Sequence, residues 1–395
     1  MRKRFVHIVL TVLLSVFAQT MTAQPFTYSD SVEISLLTCS PGREIWAEYG
    51  HTAIRYNDLH NHQDYTVNYG VFSESQPYFI PRFVFGLTDY SMGIVPTDLF
   101  IEQYSYENRL VTEQKLNLTA ADKLAICKAL QENMKPENVV YRYNFFYDNC
   151  TSRARDIILG HLHGKVTFPP ADNKATFRSM IHEWNGNGSW TQLGEDILLG
   201  INADRKTTKA EQQFLPDNLR KDFERAVYNG RPLVSTTKTL NIKSPMVEDE
   251  RGFPLTPMEA AILFAIIATT ILLVEYKTRK LLWGWDLLLM LASGTIGVVL
   301  FTMIFSQHPC VSLNMIIFIF NPLALVFVRR TIRSECRREK GHWWLLWEIS
   351  LFIGFIGGFF QHIPLPVLIV ALFLLLNCVM HQWIDRHHTT NIPTM

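Results

Sequence analysis

The apolar positions of the chain change their period along its length. Val32 to Leu37, His51 to Tyr56 and Tyr65 to Tyr69 are short runs rich in β-branched and aromatic residues, and Asn57 to Asp64 between the last two is polar. That pattern predicts adjacent antiparallel strands, the second pair joined by a hairpin loop. From Ala120 to Met134 the spacing turns helical, with Leu124, Cys127, Leu130 and Met134 in phase, Thr119 as the cap and Pro136 as the stop. Tyr141 to Phe146 alternates again. A second helix is expected to open at Asp148 or Asn149, carrying Ala154, Ile157, Ile158 and Leu162 on one face, with Gly160 and Gly164 near its close.

Past residue 257 the apolar runs lengthen. Stretches at 258–275, 281–305, 311–328, 343–360 and 363–380 each approach the length a helix needs to cross hydrocarbon, so five spans are expected. At the other end, Arg2, Lys3 and Arg4 precede the apolar run Phe5 to Phe17 and then Thr20 to Gln24. This reads as a secretory signal cut after Ala23, an uncleaved anchor being the alternative because Met21 suits the cut poorly. Ile242 to Pro257, where Pro245 and Pro254 flank Glu248, Asp249, Glu250 and Arg251, reads as a linker. The expected organisation is a signal peptide 1–23, an exported (periplasmic) α+β domain 24–241, the linker 242–257, an all-α transmembrane domain of five helices 258–382 and a cytoplasmic tail 383–395.

Composition sharpens this division. Charged residues make up 18% of the chain, against the usual quarter, but 23% of residues 25–255 and only 12% of residues 256–395. Lys277, Arg279 and Lys280 follow the first expected span, and Arg329, Arg330, Arg333, Arg337, Arg338 and Lys340 follow the third; the alternate loops have no Lys or Arg. The positive-inside rule then puts the C-terminus in the cytoplasm and the N-terminal domain across the membrane. Glu259, Asp286 and Glu348 read as interfacial span ends, and Trp283, Trp285, Trp343, Trp344 and Trp347 as an interfacial belt. A net charge of +1 excludes a polybasic nucleic-acid binder, and 49 aromatic residues exclude a disordered chain.

Three cysteines, Cys39, Cys127 and Cys150, fall in the exported part. An odd number cannot all pair there, so at least one thiol stays free or bonds a residue outside, such as Cys310. Cys127 lies on an apolar stripe and reads as core. Cys150 stands at a predicted helix start, where unpaired N–H groups and the macrodipole favour a thiolate, and Arg153 and Arg155 add positive potential. A small buried residue at that position is the structural alternative. A nucleophilic thiol needs a base, itself oriented by a third polar group. His51, after Gly50 at the opening of a strand, is the candidate base. Asn68 on the neighbouring strand is the candidate third member, with Asp58, Asp64 and His62 competing. Asn149 and Arg153 are candidates for oxyanion or supporting roles.

Between Pro77 and Leu87, Phe83 and Phe85 are candidates to enter lipid and Arg82 to meet a phosphate headgroup; a buried loop and a solvated arginine are the alternatives. The His60/His62, His161/His163 and His387/His388 groups lack companion ligands at zinc-site spacing, so no metal is expected, and no cofactor motif is present.

The order of Tyr49-Gly50-His51-Thr52-Ala53-Ile54-Arg55, Val67-Asn68-Tyr69-Gly70 and Asp148-Asn149-Cys150-Thr151-Ser152-Arg153 resembles the circularly permuted branch of the NlpC and papain-like thiol superfamily, in which histidine precedes cysteine. More closely, these blocks, followed by Thr176-Phe177-Arg178-Ser179-Met180-Ile181-His182, are similar to the Lnb family of lipoprotein N-acyltransferases, whose members pair such a domain with a C-terminal bundle of spans. The resemblance implies acyl transfer onto the N-terminal cysteine amine of bacterial lipoproteins at the inner membrane. A membrane glycerophospholipid or the lipoprotein's own glyceride would be the donor. It leaves the third catalytic group open. Two other classes stand beside it: a papain-like thiol hydrolase acting on cell-wall peptide or lipid ester, and a non-catalytic membrane-tethered sensing or binding protein.

Overall fold

The computed structural model describes residues 31–72, 77–186, 188–242, 253–337, 339 and 341–389. The expected signal peptide 1–23, linker residues 243–252 and the last six residues of the tail lie outside the described residues.

Seven antiparallel strands build the sheet of the N-terminal domain: β1 (Val32–Cys39), β2 (His51–Asp58), β3 (Gln63–Val71), β4 (Asp89–Pro96), β5 (Val111–Leu116), β6 (Val140–Arg142) and β7 (Val234–Thr239). Their spatial order is β7-β5-β1-β2-β3-β4-β6. β1 is buried almost throughout because both sheet faces are covered and successive side chains point to opposite faces. On one face Ile34 and Leu36 pack with Ile126, Leu130, Ala154 and Ile158. These come from α3 (Ala120–Asn133) and α4 (Cys150–Leu159), which follow α1 (Phe79–Val84) and α2 (Thr97–Tyr106) in the chain. On the other face Leu37, Cys39 and Ala53 meet Phe100 and Tyr104 of α2.

The helix starts expected from sequence are present. Thr119 and Asp122 form a capping box on α3, and Asn149 and Ser152 form one on α4. Cys127 is buried in the core as expected. All six cysteines are free thiols, and Cys310 lies 3.9 Å from the Tyr147 hydroxyl.

After α5 (Phe177–His182), α6 (Trp190–Leu198) and α7 (Pro216–Arg225), the C-terminal domain comprises α8 (Pro257–Thr278), α9 (Trp283–Met303), α10 (Leu323–Cys336), α11 (Trp343–Gly357) and α12 (Leu365–Thr389). Among the described residues four runs are long and apolar enough to cross a membrane: Pro257–Thr278, Trp283–Met303, Met315–Cys336 and Leu365–Asp385. The expected span at 343–360 instead gives α11, a shorter apolar helix of 15 residues. The Met315–Cys336 run is broken at Asn321-Pro322, because Pro322 has no N–H to donate. Asn321 donates to the Ser350 hydroxyl at 3.0 Å. Gly297 of α9 lets this break approach, since a Cβ there would lie 2.3 Å from the Phe320 carbonyl oxygen.

Two expectations for this domain are corrected. Trp343, Trp344 and Trp347 are buried between helices, not arranged as an outer belt. Two of the indoles find partners inside: Trp344 donates to Glu335 and Trp347 to the Ile319 carbonyl. Asp286, read as interfacial, is 0% exposed and held by Asn377 and His381.

The two domains are docked. Phe146, Phe177, Leu199 and Phe214 share a core with Met303, Cys310 and Val311. Gln361 donates to the Leu199 carbonyl at 3.0 Å, and the His362 N–H donates to Asp204. Beneath them Arg178, 2% exposed, pairs with both Asp196 and Asp204.

Candidate active site

Cys150 is the first residue of α4, and its position follows from how Asn149 caps the helix. The Asn149 Oδ1 accepts from the N–H groups of Thr151 and Ser152, each at 2.9 Å. Its Nδ2 donates to the carbonyls of Phe145 and Phe214. Both amide hydrogens are therefore committed to main chain, so Asn149 fixes the helix start. The Cys150 N–H, first in the helix, has no acceptor within it. On the sheet side the Thr151 and Thr52 hydroxyls meet at 3.0 Å, holding the start of α4 against the start of β2.

His51 opens β2. Gly50 before it sits at φ +81°, and a Cβ there would come within 2.5 Å of the Cys39 carbonyl oxygen, so only glycine lets the strand enter beside β1. Asn68 pairs across β2–β3 with Ala53, which shares a sheet face with His51. This diagonal brings Asn68 Oδ1 to 3.1 Å from His51 Nε2, leaving Nδ1 for the thiol. Gly70, at φ +90° where the β3–β4 register shifts, lies under Cys150: a Cβ there would be 3.8 Å from Cys150 Cβ.

The electrostatics match the geometry. Burial pushes the Cys150 thiol up, but the charge and hydrogen bond of His51, the Thr52 N–H and the Thr151 hydroxyl outweigh it, and the thiol falls from 9.0 to about 7. For His51, burial and Arg109 act downward. The neighbouring thiolate and the Asn68 carbonyl act upward and prevail, so the imidazole is raised from 6.5. Cys150, His51 and Asn68 thus lie in an arrangement that favours a thiolate–imidazolium pair with an orienting amide.

Of the competing third members, Asp64 is bound to Arg55 and Asp58 to its own turn. His62 lies in the exposed β2–β3 turn.

The remaining sequence candidates are placed as follows. Arg153 forms a two-pronged pair with Asp148, at 2.6 and 2.7 Å, and lies 3.6 Å over the Tyr141 ring. Its charge is spent on Asp148, and it positions Tyr141. Arg82 bonds the Leu87 carbonyl and Asp89 within its own loop. The Phe83 carbonyl accepts from His308 if that ring nitrogen is protonated, and the Phe85 carbonyl accepts from the Gln307 N–H. The aromatic stretch therefore rests on the loop joining α9 to the third membrane run, with the Phe83 side chain 43% exposed.

Tyrosines were missed by sequence reasoning. Tyr90, Tyr141 and Tyr143 all lie in the field of Cys150, and Tyr90 stacks on Tyr143 at 4.1 Å. The Tyr141 hydroxyl is buried with no hydrogen-bond partner among the described residues. It lies 3.9 Å from the point above Gly70 that is also 3.8 Å from Cys150 Cβ. The alternation of Tyr141 and Tyr143 marked a strand, but nothing in the pattern tied it to Cys150.

The site sits close to the membrane domain. Arg142, next to Tyr141, donates to Gln307 at 3.1 Å, and Tyr147, three residues before Cys150, meets Cys310.

With this geometry in place, comparison with known families is informative. A family model described as the Lnb N-terminal periplasmic domain matches residues 20–182, and one described as the Lnb transmembrane domain matches residues 248–388. No curated protein and no solved structure matches the chain.

Proposed function

The chain belongs to the Lnb family of membrane proteins with a periplasmic N-terminal domain, and from that premise we propose that it is a lipoprotein N-acyltransferase with Cys150 as its nucleophile. The observation that carries this reading is the Cys150–His51–Asn68 assembly held against the loops of the membrane domain. A thiolate at that boundary is suited to a lipid ester, and membrane tethering favours such a substrate over a soluble peptide.

The proposed reaction has two halves. In the first, His51 holds the thiol proton while the Cys150 sulfur bonds to the carbonyl carbon of a glycerolipid ester. The Cys150 N–H and the unpartnered Tyr141 hydroxyl are the donors available to the oxyanion. Collapse breaks the ester C–O bond, and the departing alkoxide takes the proton from His51. In the second half, the α-amine of a lipoprotein's N-terminal cysteine, ordinarily titrating near 7.7–8.0, attacks the thioester. The C–N bond forms, the C–S bond breaks, and the amine's proton passes through His51 back to sulfur. Ester and amine thus become amide and alcohol, with no cofactor. In this reading residues 24–241 face the periplasm, the bundle lies in the inner membrane and the C-terminus is cytoplasmic.

The test is expression in cells unable to N-acylate lipoproteins, followed by the mass of a lipoprotein's N-terminal peptide. The wild type is expected to convert the free amine to an amide, and Cys150→Ala to leave it free. A gain of one whole chain marks a phospholipid donor; an unchanged total mass with a blocked amine marks the lipoprotein's own glyceride. A free amine in the presence of folded, exported wild-type protein would refute the proposal and favour hydrolysis or binding.

A further inference from the structure

At the end of the bundle remote from the N-terminal domain, Asp286 lies in the first turn of α9, Glu335 in the last turn of α10 and His381 on α12. One ligand-type atom from each lies within 4.8 Å of the others. Two bonds of about 2.0–2.2 Å to one ion would place their ends up to about 4.4 Å apart, so a small closure suffices. Glu275, near the end of α8 and 0% exposed, lies in the same electrostatic field.

The cluster is under-satisfied, with Asp286 and His381 buried and Glu335 partly exposed. Glu275 Oε2 and Asn377 Oδ1 are buried without a partner among the described residues, and the Asp286 and Glu335 carboxyls face each other, a contact that neither can satisfy as a donor when both are ionised. Asn377 is 1% exposed, and its amide already lies against the cluster, because its Nδ2 donates to Asp286 Oδ1 at 2.9 Å. Among the described residues no Lys or Arg pairs with Asp286, Glu335 or Glu275; the His381 ring lies 3.0 Å from Asp286. Leaving carboxyl oxygens unpaired inside a helix bundle is costly. The outer contacts are nonetheless arranged. Trp344 donates to Glu335 Oε1 at 2.9 Å and stacks on the His381 ring at 4.0 Å. Asn377 fixes the Asp286 carboxylate. Orienting partners behind each ligand are what metal sites require.

We propose that Asp286, Glu335 and His381 bind a divalent first-row transition cation that ties α9, α10 and α12 together. Two carboxylates and an imidazole suit that class of ion. The proposal is independent of the acyl-transfer reading, since the cluster lies at the opposite end of the bundle from Cys150.

The test uses the full chain in detergent micelles. Metal content is measured by elemental mass spectrometry as isolated. Co²⁺ is then titrated into chelator-stripped protein and followed by its absorption and by thermal unfolding. The expected result is a single equivalent of bound Co²⁺ that raises the unfolding temperature. Asp286→Asn and His381→Ala are expected to lose it. Asn377→Ala, which keeps all three ligands, is expected to weaken Co²⁺ binding about 10- to 100-fold, and it carries the test if the ligand variants fail to fold. No metal as isolated together with no uptake of Co²⁺ by folded wild-type protein would overturn the proposal in favour of a shared proton. So would uptake unchanged in all three variants.

Discussion

Replacing His51 by Gln removes the imidazolium that holds Cys150 as a thiolate while keeping a side chain of similar reach. The thiol lies at about 7 with His51 in place. Without that charge, burial acts unopposed by its main partner and the thiol returns to 9.0 or above. Two units correspond to about 2.7 kcal/mol of preference for the thiolate. At pH 7 the thiolate fraction falls from about one half to about one hundredth, a loss of about 50-fold. Each remaining thiolate is more nucleophilic, by about 6- to 10-fold for a Brønsted slope of 0.4–0.5 across two units. Alkylation by iodoacetamide at pH 7 is therefore expected to slow about 5- to 8-fold. The sign then reverses: the thiolate accumulates as pH rises through the thiol's value, so above about pH 8 the His51→Gln protein should react faster than wild type.

The assay is site-resolved mass spectrometry of alkylated protein across pH in a Cys336→Ser background, since Cys336 is the exposed thiol. Cys39, Cys127 and Cys310 are buried and raised by that burial, Cys127 to about 12 and Cys310 to about 11, so they do not compete. A change in access alone would scale the rate equally at every pH. Parallel curves with one midpoint for both proteins would refute the ion pair.

Asn68→Ala deletes the acceptor on His51 Nε2. Loss of a hydrogen bond to a charged group, about 1.5–3 kcal/mol, should lower kcat/KM for N-acylation of a synthetic diacylated lipopeptide by about 10- to 150-fold, and Asn68→Asp should restore part of it. Tyr141→Phe should leave thermal stability unchanged, because the hydroxyl has no partner among the described residues to lose. Its kcat should fall by about 10²- to 10³-fold at constant KM if the hydroxyl meets the oxyanion; unchanged kcat would make Tyr141 only a wall of the site.

What was legible in the chain was local. Thr119 before an apolar helical stripe, and Asn149 before Cys150, announce their caps because capping chemistry is written within four residues. Gly50 and His51 at a strand opening were legible for the same reason. Tyr141 was not, because its approach to Cys150 depends on the β4–β6 pairing and on the bulge at Gly70. Hydropathy placed the membrane runs but could not tell lipid from protein interior. Trp343, Trp344 and Trp347 were thus assigned to a belt when they fill the bundle. Asp286, Glu335 and His381 come from three separate helices, so no spacing rule links them.

Docking through Gln361 and His362 fixes where Cys150 stands relative to the helix bundle. In the proposed reaction this separates amines by depth. The N-terminal amine of a lipoprotein is tethered within one residue of its lipid and so is confined to the layer where the thioester waits, whereas lysines further along the same protein spend their time elsewhere. Freed from the bundle, the N-terminal domain would keep its thiolate and lose this discrimination, and it would expose the Phe177 and Leu199 surface that now meets Met303 and Val311.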